Sequence, residues 1–444
     1  MKTVKQTMLV VLGLLFFALQ GCSHDDYIPV PGPAGENGTD GVAGTASCES
    51  CHSVEHKQPI IEAYNKSVHN LGVLNTTTGK YSKHIYGTNT TYADGSLNSN
   101  RAFCAECHSQ EGYIDVKKYG KPNPKGYDIY QSINCEGCHG TTHRSLNFTK
   151  DGNDFGLRNI AAVIQKTNPA FPLNASPTGG VSSANTCIGC HQARPDSNGY
   201  YKRPVIEMAE KDASGAVVIT NDPVKGPLYR FWSIRKLADA VGPYPAGTTY
   251  YKNYSNTGTG VHASEQGDLW MGINGIDIEG TTTRLPAAKT AKHYTSASCV
   301  QCHMDKPKPG TVDNGSHTMK LSYQSCVSCH ATPETLLATF HTKFEAEVAK
   351  LVAAFAAKPT YFKVSGTSVS IIAYDSANAN APFPTSPASG TTTPTVWNQS
   401  RTDFPLKYVQ AYWNFKLVTG DEGKGVHNPL YSMALIQNSI EALK

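Results

Sequence analysis

Nowhere does this 444-residue chain carry the roughly 20 consecutive apolar residues that a helix needs to cross a bilayer. Its best run, Met8 to Leu19, is too short to span, and no later segment improves on it. Basic blocks are missing as well. Lys and Arg number 39 against 35 Asp and Glu, a formal charge of +4, and they are scattered, which excludes a nucleic-acid surface. Aliphatic material is thin: hydrophobic residues make up 39%, while 39 Gly and 26 Pro imply much loop. Something other than aliphatic packing is expected to organise the chain. Spare cysteine is also scarce, because of the 13 cysteines only Cys22 stands outside a single repeated pattern.

The N-terminus reads as an export signal. Lys2 and Lys5 supply the charged start, Met8 to Leu19 the apolar run, and small residues close it. Leu19-Gln20-Gly21-Cys22 resembles the bacterial lipobox, which implies acylation of Cys22 and a mature chain from Cys22 to Lys444. Ser23, not aspartate, follows the cysteine, and the resemblance then implies an outer-membrane lipoprotein facing the periplasm or the cell surface. Residues 1–21 are thus expected to be signal peptide and 22–47 a lipid-anchored tether. Gly32, Gly35, Gly38, Gly41 and Gly44 recur at every third position there, a spacing read as an extended spacer because the segment is too short for a collagen-like helix.

The remaining twelve cysteines form six identical sets: Cys48, Cys51 and His52; Cys104, Cys107 and His108; Cys135, Cys138 and His139; Cys187, Cys190 and His191; Cys299, Cys302 and His303; Cys326, Cys329 and His330. Each reads C-x-x-C-H, the attachment motif of c-type haem. Two thiols at that spacing reach the two vinyl groups of one porphyrin, and the next residue ligates the iron. Disulfides need no histidine after every second cysteine. Zinc wants four ligands per site, and thioredoxin-like motifs occur once per domain. Chance gives on the order of 0.01 matches. Six covalently bound haem c are expected, with those six histidines as proximal iron ligands.

Ten histidines remain of the sixteen: His24, His56, His69, His84, His143, His262, His293, His317, His341 and His427. What fills the second axial position separates electron transfer from catalysis. The stretch from Cys135 to Gly140 followed by His143, the run from Tyr64 to His69, Cys299 to Met304, and Gly425-Val426-His427-Asn428-Pro429 resemble the superfamily of cytochrome c nitrite reductase and hydroxylamine oxidoreductase. The resemblance extends to His262 in Gly260-Val261-His262-Ala263, to His293 ahead of the fifth motif and to His317 between the fifth and sixth. It implies six distal ligands, His69, His143, His262, His293, His317 and His427, whose pairing the sequence does not encode. His56, His84 and His341 stand behind these, His24 is not counted, and Met304 and Met319 have no better claim. Members of that superfamily that reduce nitrite typically carry lysine in the catalytic motif, and no C-x-x-C-K occurs here, so the activity is not carried over and no catalytic residue is assigned.

The fold class expected is mainly α with extensive loops, its core formed by stacked haems, long C-terminal helices and a small β-hairpin. Residues 48–330 make the hexahaem domain; four motifs crowd into 48–191, leaving no room there for a separate apolar core, and 192–298 is a motif-free insertion. That insertion holds Tyr229, Phe231, Trp232, Tyr250, Tyr251 and Trp270, expected to pack on a porphyrin face or in a satellite core. Within 331–444, Leu337, Phe340, Phe344, Val348, Leu351 and Phe355 predict one face of a long helix from Thr332 and Pro333 to before Pro359. Alternation of Phe362 and Val364, then Val369 and Ile371, predicts a hairpin, and 376–400 a loop. A last helix follows His427, with Leu430, Met433, Ile436, Ile440 and Leu443 facing inward.

Three functions compete. The first is electron transfer through six bis-histidine haems in anaerobic respiration, with redox proteins or an extracellular acceptor as partners. The second is reduction of a small nitrogen or sulfur oxyanion at one five-coordinate haem. The third is assembly of protomers into a homo-oligomer or filament with continuous haems.

Overall fold

The structure, a computed structural model, describes residues 53–75, 80–82, 102–123, 127, 131–140, 156–165, 168–194, 219–224, 226–231, 234–236, 249–251, 261–262, 264–307, 313–371 and 401–444. The signal, the tether and its glycines, Cys22, Cys48, Cys51, His52, His24, His84, His143 and the loop at 376–400 lie outside the described residues, as do the side chains of His56 and Cys104. The chain divides into two units, Met1–Lys57 and Gln58–Lys444.

Helices and loops dominate. In chain order the helices are α1 (Val54–Asn65), α2 (Val68–Leu71), α3 (Ala102–His108), α4 (Gln110–Tyr119), α5 (Cys135–Cys138), α6 (Ala184–Ile188), α7 (Gln266–Met271), α8 (Lys292–Ser296), α9 (Cys299–His303), α10 (Pro333–Ala356), α11 (Leu406–Thr419) and α12 (Pro429–Ala442). Among the described residues the strands pair only into small antiparallel sheets of two or three, among them the hairpin Phe362–Ser365 with Ser368–Ile371. Among the described residues no helix is long and apolar enough to cross a membrane.

The long helix α10 starts where the sequence places it, with Thr332 at the N-cap and Pro333 in the first turn, where a missing N–H costs nothing. Its buried Phe344, Leu351 and Phe355 face α11, α12 and the hairpin. The hairpin follows the alternation: Phe362, Val369 and Ile371 are buried.

Helix α11 was not legible in the sequence. Tyr408, Val409, Ala411, Tyr412, Trp413, Asn414, Phe415, Leu417 and Val418 are all buried, so no polar face marks a helical period. It sits at the centre of an apolar core that includes Leu351, Phe355, Phe362, Leu435 and Ile436, which corrects the expectation that aliphatic packing would be slight. A second cluster gathers Val163, Leu173, Ala184, Ile188, Trp270, Met271 and Tyr294, so an apolar core also reaches into residues 48–191, contrary to expectation. Trp270 packs there on Tyr294 at 4.8 Å, the satellite-core alternative. The side chains of the other aromatics named for 192–298 lie outside the described residues.

On helix α12, Ile436 and Leu443 are buried and Met433 and Ile440 pack partly buried against the core as expected, but Leu430 is 75% exposed while Tyr431, Leu435 and Ala442 turn inward. The reason is polar: Asn438 on that inward face accepts from Ile278 N–H (3.2 Å) and donates to the Thr281 hydroxyl (2.6 Å) and the Thr283 carbonyl (2.9 Å). Asn414 of α11 likewise binds both backbone groups of Ile276, at 2.8 and 2.9 Å. Two buried asparagines thus hold an irregular strap whose backbone has no strand partner.

Phe355 meets Phe362 and Phe415 edge-on at 4.6 and 5.4 Å. Phe355→Ala removes the ring and leaves a cavity, an expected loss of about 3–5 kcal/mol, measurable as a lowered denaturant midpoint in the intact protein.

Candidate haem sites

Each described C-x-x-C-H motif closes one turn. The histidine N–H donates to the carbonyl of the first cysteine in the third, fourth and sixth motifs, at 2.7, 2.9 and 2.8 Å for His139, His191 and His330. That turn sets both thiols and the imidazole around one point. Local caps fix it: Asn134 accepts from the Glu136 N–H, and Ser298 from the Gln301 N–H. Among the described residues no two cysteines are joined in a disulfide.

Five motif histidines each face a histidine from elsewhere in the chain. The ring centroids are 6.2 Å apart for His191 and His69, 6.2 Å for His108 and His262, 6.4 Å for His139 and His317, 6.4 Å for His330 and His293, and 6.3 Å for His303 and His427. Metal–imidazole bonds are about 2.0–2.1 Å and the ring centre lies about 1.1 Å farther, so two imidazoles trans on one metal sit about 6.3 Å apart. The residues present therefore fit an iron held between each pair, with a porphyrin stitched to the adjacent thiols. Five of the six expected distal histidines stand in these pairs. His143 and its remaining counterpart His52 lie outside the described residues. His341, set behind the six, rests beside Phe340 at 6.5 Å, and its Nε2 is buried without a hydrogen-bond partner.

A family model described as cytochrome c554 and c-prime matches residues 47–140, which include the first three motifs. A C-type polyheme cytochrome, OmcC of Geobacter sulfurreducens, is 26% identical over 384 residues, covering 77% of this chain and 43% of the relative. The chain is similar in motif and sequence to multihaem c-type cytochromes. The crystal structure of the outer cell wall cytochrome OcwA superposes with a TM-score of 0.40 and 17% identity, over 87% of this chain and 50% of that chain. The chain thus spans half or less of the length of the proteins it matches.

Around the imidazoles the chain places Nδ1 partners. The Gln266 side-chain oxygen meets His191 (3.0 Å), the Val426 carbonyl His293 (2.9 Å), the Met319 carbonyl His303 (3.0 Å) and the Asp421 carboxylate His427 (2.7 Å). The Met319 thioether lies 2.7 Å from His69 Nδ1. A proton held on Nδ1 leaves the Nε2 lone pair for iron and fixes the ring plane. Protonation would destroy that lone pair, and the surroundings oppose it. The protein crowding the His69 ring, then His191, lowers its pKa to about 4, although an edge of the residue stays exposed. Burial lowers His191, His303 and His317 in the same sense.

Gln266, Met319 and Asp421 carry no sequence signature of this role. Gln266 and the pair His191 are far apart in the chain, and only the placement of Asp421 shortly before His427 offered a local hint.

Behind the fourth motif, Asp268 accepts from Ala193 N–H (2.8 Å) and Asn274 Nδ2 (3.1 Å), and burial raises its carboxyl from 3.8 to about 7. Burial shifts Glu265 in the same direction. A folded-state pKa above the unfolded one means the native protein binds the proton more tightly, so this contribution is present below the unfolded pKa and lost as pH rises to the folded one. Stability is expected to fall as pH rises from about 4 to about 7. Urea midpoints across that range check it, and Asp268→Asn should flatten the slope.

Proposed function

We propose that this cytochrome carries six haem c groups, each between a proximal and a distal histidine, and that it moves electrons between redox partner proteins or to an extracellular acceptor. The single observation behind this reading is the set of five histidine pairs at 6.2–6.4 Å, each joining a motif histidine to one outside the motifs. Bound iron of this kind exchanges one electron between its ferric and ferrous states. Two histidines per iron leave no position for a substrate, which favours transfer over catalysis at those five sites. His143 is the distal histidine left for His52, and it completes six pairs.

On this reading the chain's own residues do three things. Twelve cysteines anchor the groups, twelve histidines set their axial field, and the Nδ1 partners tune how strongly each imidazole donates. Cys22 would anchor the export product to the outer membrane, with residues 22–47 as tether, 48–330 as hexahaem domain and 331–444 packed on it as a helical segment. The likeness to the nitrite reductase and hydroxylamine oxidoreductase superfamily supports the ligand set but not its chemistry.

The test is intact mass after maturation in a host that attaches haem c, followed by dye-driven assays. Six haems added to the polypeptide, with reversible reduction and no turnover of nitrite, hydroxylamine or tetrathionate, is the expected result. Fewer haems, or turnover above free haem, contradicts the proposal.

A further inference from the structure

The order of the sites in space is recorded in the contacts between motifs. The Cys107 thiol of the second motif lies beside Cys190 of the fourth and 3.9 Å from the Gly189 carbonyl between the fourth motif's cysteines. Cys187, the other thiol of the fourth motif, lies beside Cys299 of the fifth, where α9 packs on α6. Cys138 of the third motif lies within electrostatic reach of both Cys187 and Cys190. So the fourth motif lies against the second through one cysteine and against the fifth through the other, with the third motif's Cys138 within electrostatic reach of both.

Tyr113 marks the centre of this junction. It is 2% exposed, its hydroxyl is buried without a partner, and Cys107, Cys138, Cys187 and Cys190 surround it. Its position is built in: Gly112 beside it lets α4 lie against α3, since a Cβ there would sit 2.4 Å from the Ala105 carbonyl oxygen. Axial ligands converge on the same place. His262, opposite His108 of the second motif, donates its N–H to the carbonyl of Ala193, two residues past His191. Met319 meets His69 of the fourth pair with its thioether and His303 of the fifth with its carbonyl. The sixth motif joins further out, with Cys326 near Cys302 of the fifth, and His293 bonded to Val426 next to His427.

We infer that the fourth site, made by Cys187, Cys190, His191 and His69, is the branch point of the electron route, with the second, third and fifth sites abutting it and the sixth reached through the fifth. This rests on the reading that these sites hold haem. At such a junction one electron leaves one iron, which is oxidised, and arrives at a neighbour, which is reduced; no atom or proton need move. Sites that meet through their attachment cysteines bring the thioether edges of their groups together, and transfer falls steeply with edge separation.

The experiment swaps the distal ligand at the branch and at the end, His69→Met and His293→Met, in the full six-haem protein. Methionine ligation raises the potential, so the altered group is reduced before the others and its paramagnetism disappears first. Haem-methyl NMR during stepwise reduction then counts the neighbours that shift with it. Loss of one bis-histidine signal in each variant, at full haem content, verifies the ligand pairing by itself. Given that, three neighbours shifting in His69→Met and one in His293→Met is the expected result. Equal numbers in both variants, or a single neighbour in His69→Met, overturns the branch point. His69→Gly, read with and without added imidazole, repeats the count if the methionine variant does not mature.

Discussion

Replacing His427 with alanine should convert one low-spin ferric haem to a high-spin form and leave the remaining signals in place. His427 is the partner of His303 at 6.3 Å. The change reaches beyond the ligand. Asp421, whose side chain is fully buried, holds His427 Nδ1 at 2.7 Å and takes the N–H groups of Gly423 (3.2 Å) and Gly425 (3.3 Å). Without the imidazole, a buried carboxylate loses its strongest partner, a penalty of about 1–3 kcal/mol or more. Asp421→Asn separates the two effects. It keeps the ligand while weakening the hydrogen bond that makes the imidazole electron-rich, so the haem stays low-spin and its reduction potential rises. Electron paramagnetic resonance of both variants and a redox titration of the second check this. A six-coordinate His427→Ala protein would reject the pairing.

Gly315→Ala should displace His317 and damage the third site. Gly315 has φ +68 with an extended ψ of −174, a region essentially reserved for glycine. A Cβ there would lie 2.3 Å from the Asp305 carbonyl oxygen, which is backbone and has little room to give. The next two residues are Ser316 and His317, and the short helical turn Ser316–Thr318 holds the imidazole 6.4 Å from His139. Relief of the clash must move that turn. The expected cost is about 2–4 kcal/mol, together with a high-spin signal from the His139 haem. Gly120→Ala is the control: its φ is +77 but a Cβ would meet nothing within 4 Å, so about 1 kcal/mol of strain and unchanged spectra are expected.

These two cases show where sequence reading stops. The attachment chemistry is local, five residues within one turn, and so was legible residue by residue. Helix α10 and the hairpin were legible because each has one wet face that stamps a period on the sequence. Helix α11 was hidden because its whole circumference is buried, and Leu430 was misplaced because the inward phase of α12 is set by Asn438 and Tyr431, polar contacts that a hydrophobic pattern does not count. The histidines that face the motif histidines were singled out through motif surroundings, whereas their pairing depends on contacts between segments far apart in the chain. Gly315 read as an ordinary loop residue, although its backbone angle positions a ligand.

The account depends most on imidazole standing on both sides of each iron. Near-infrared magnetic circular dichroism of the fully ferric protein reports axial ligand pairs directly, and bis-histidine bands accounting for all six haems, at least the five whose histidines face each other here, are the predicted result. Bands of histidine–methionine ligation or of high-spin iron at any of those five would contradict it.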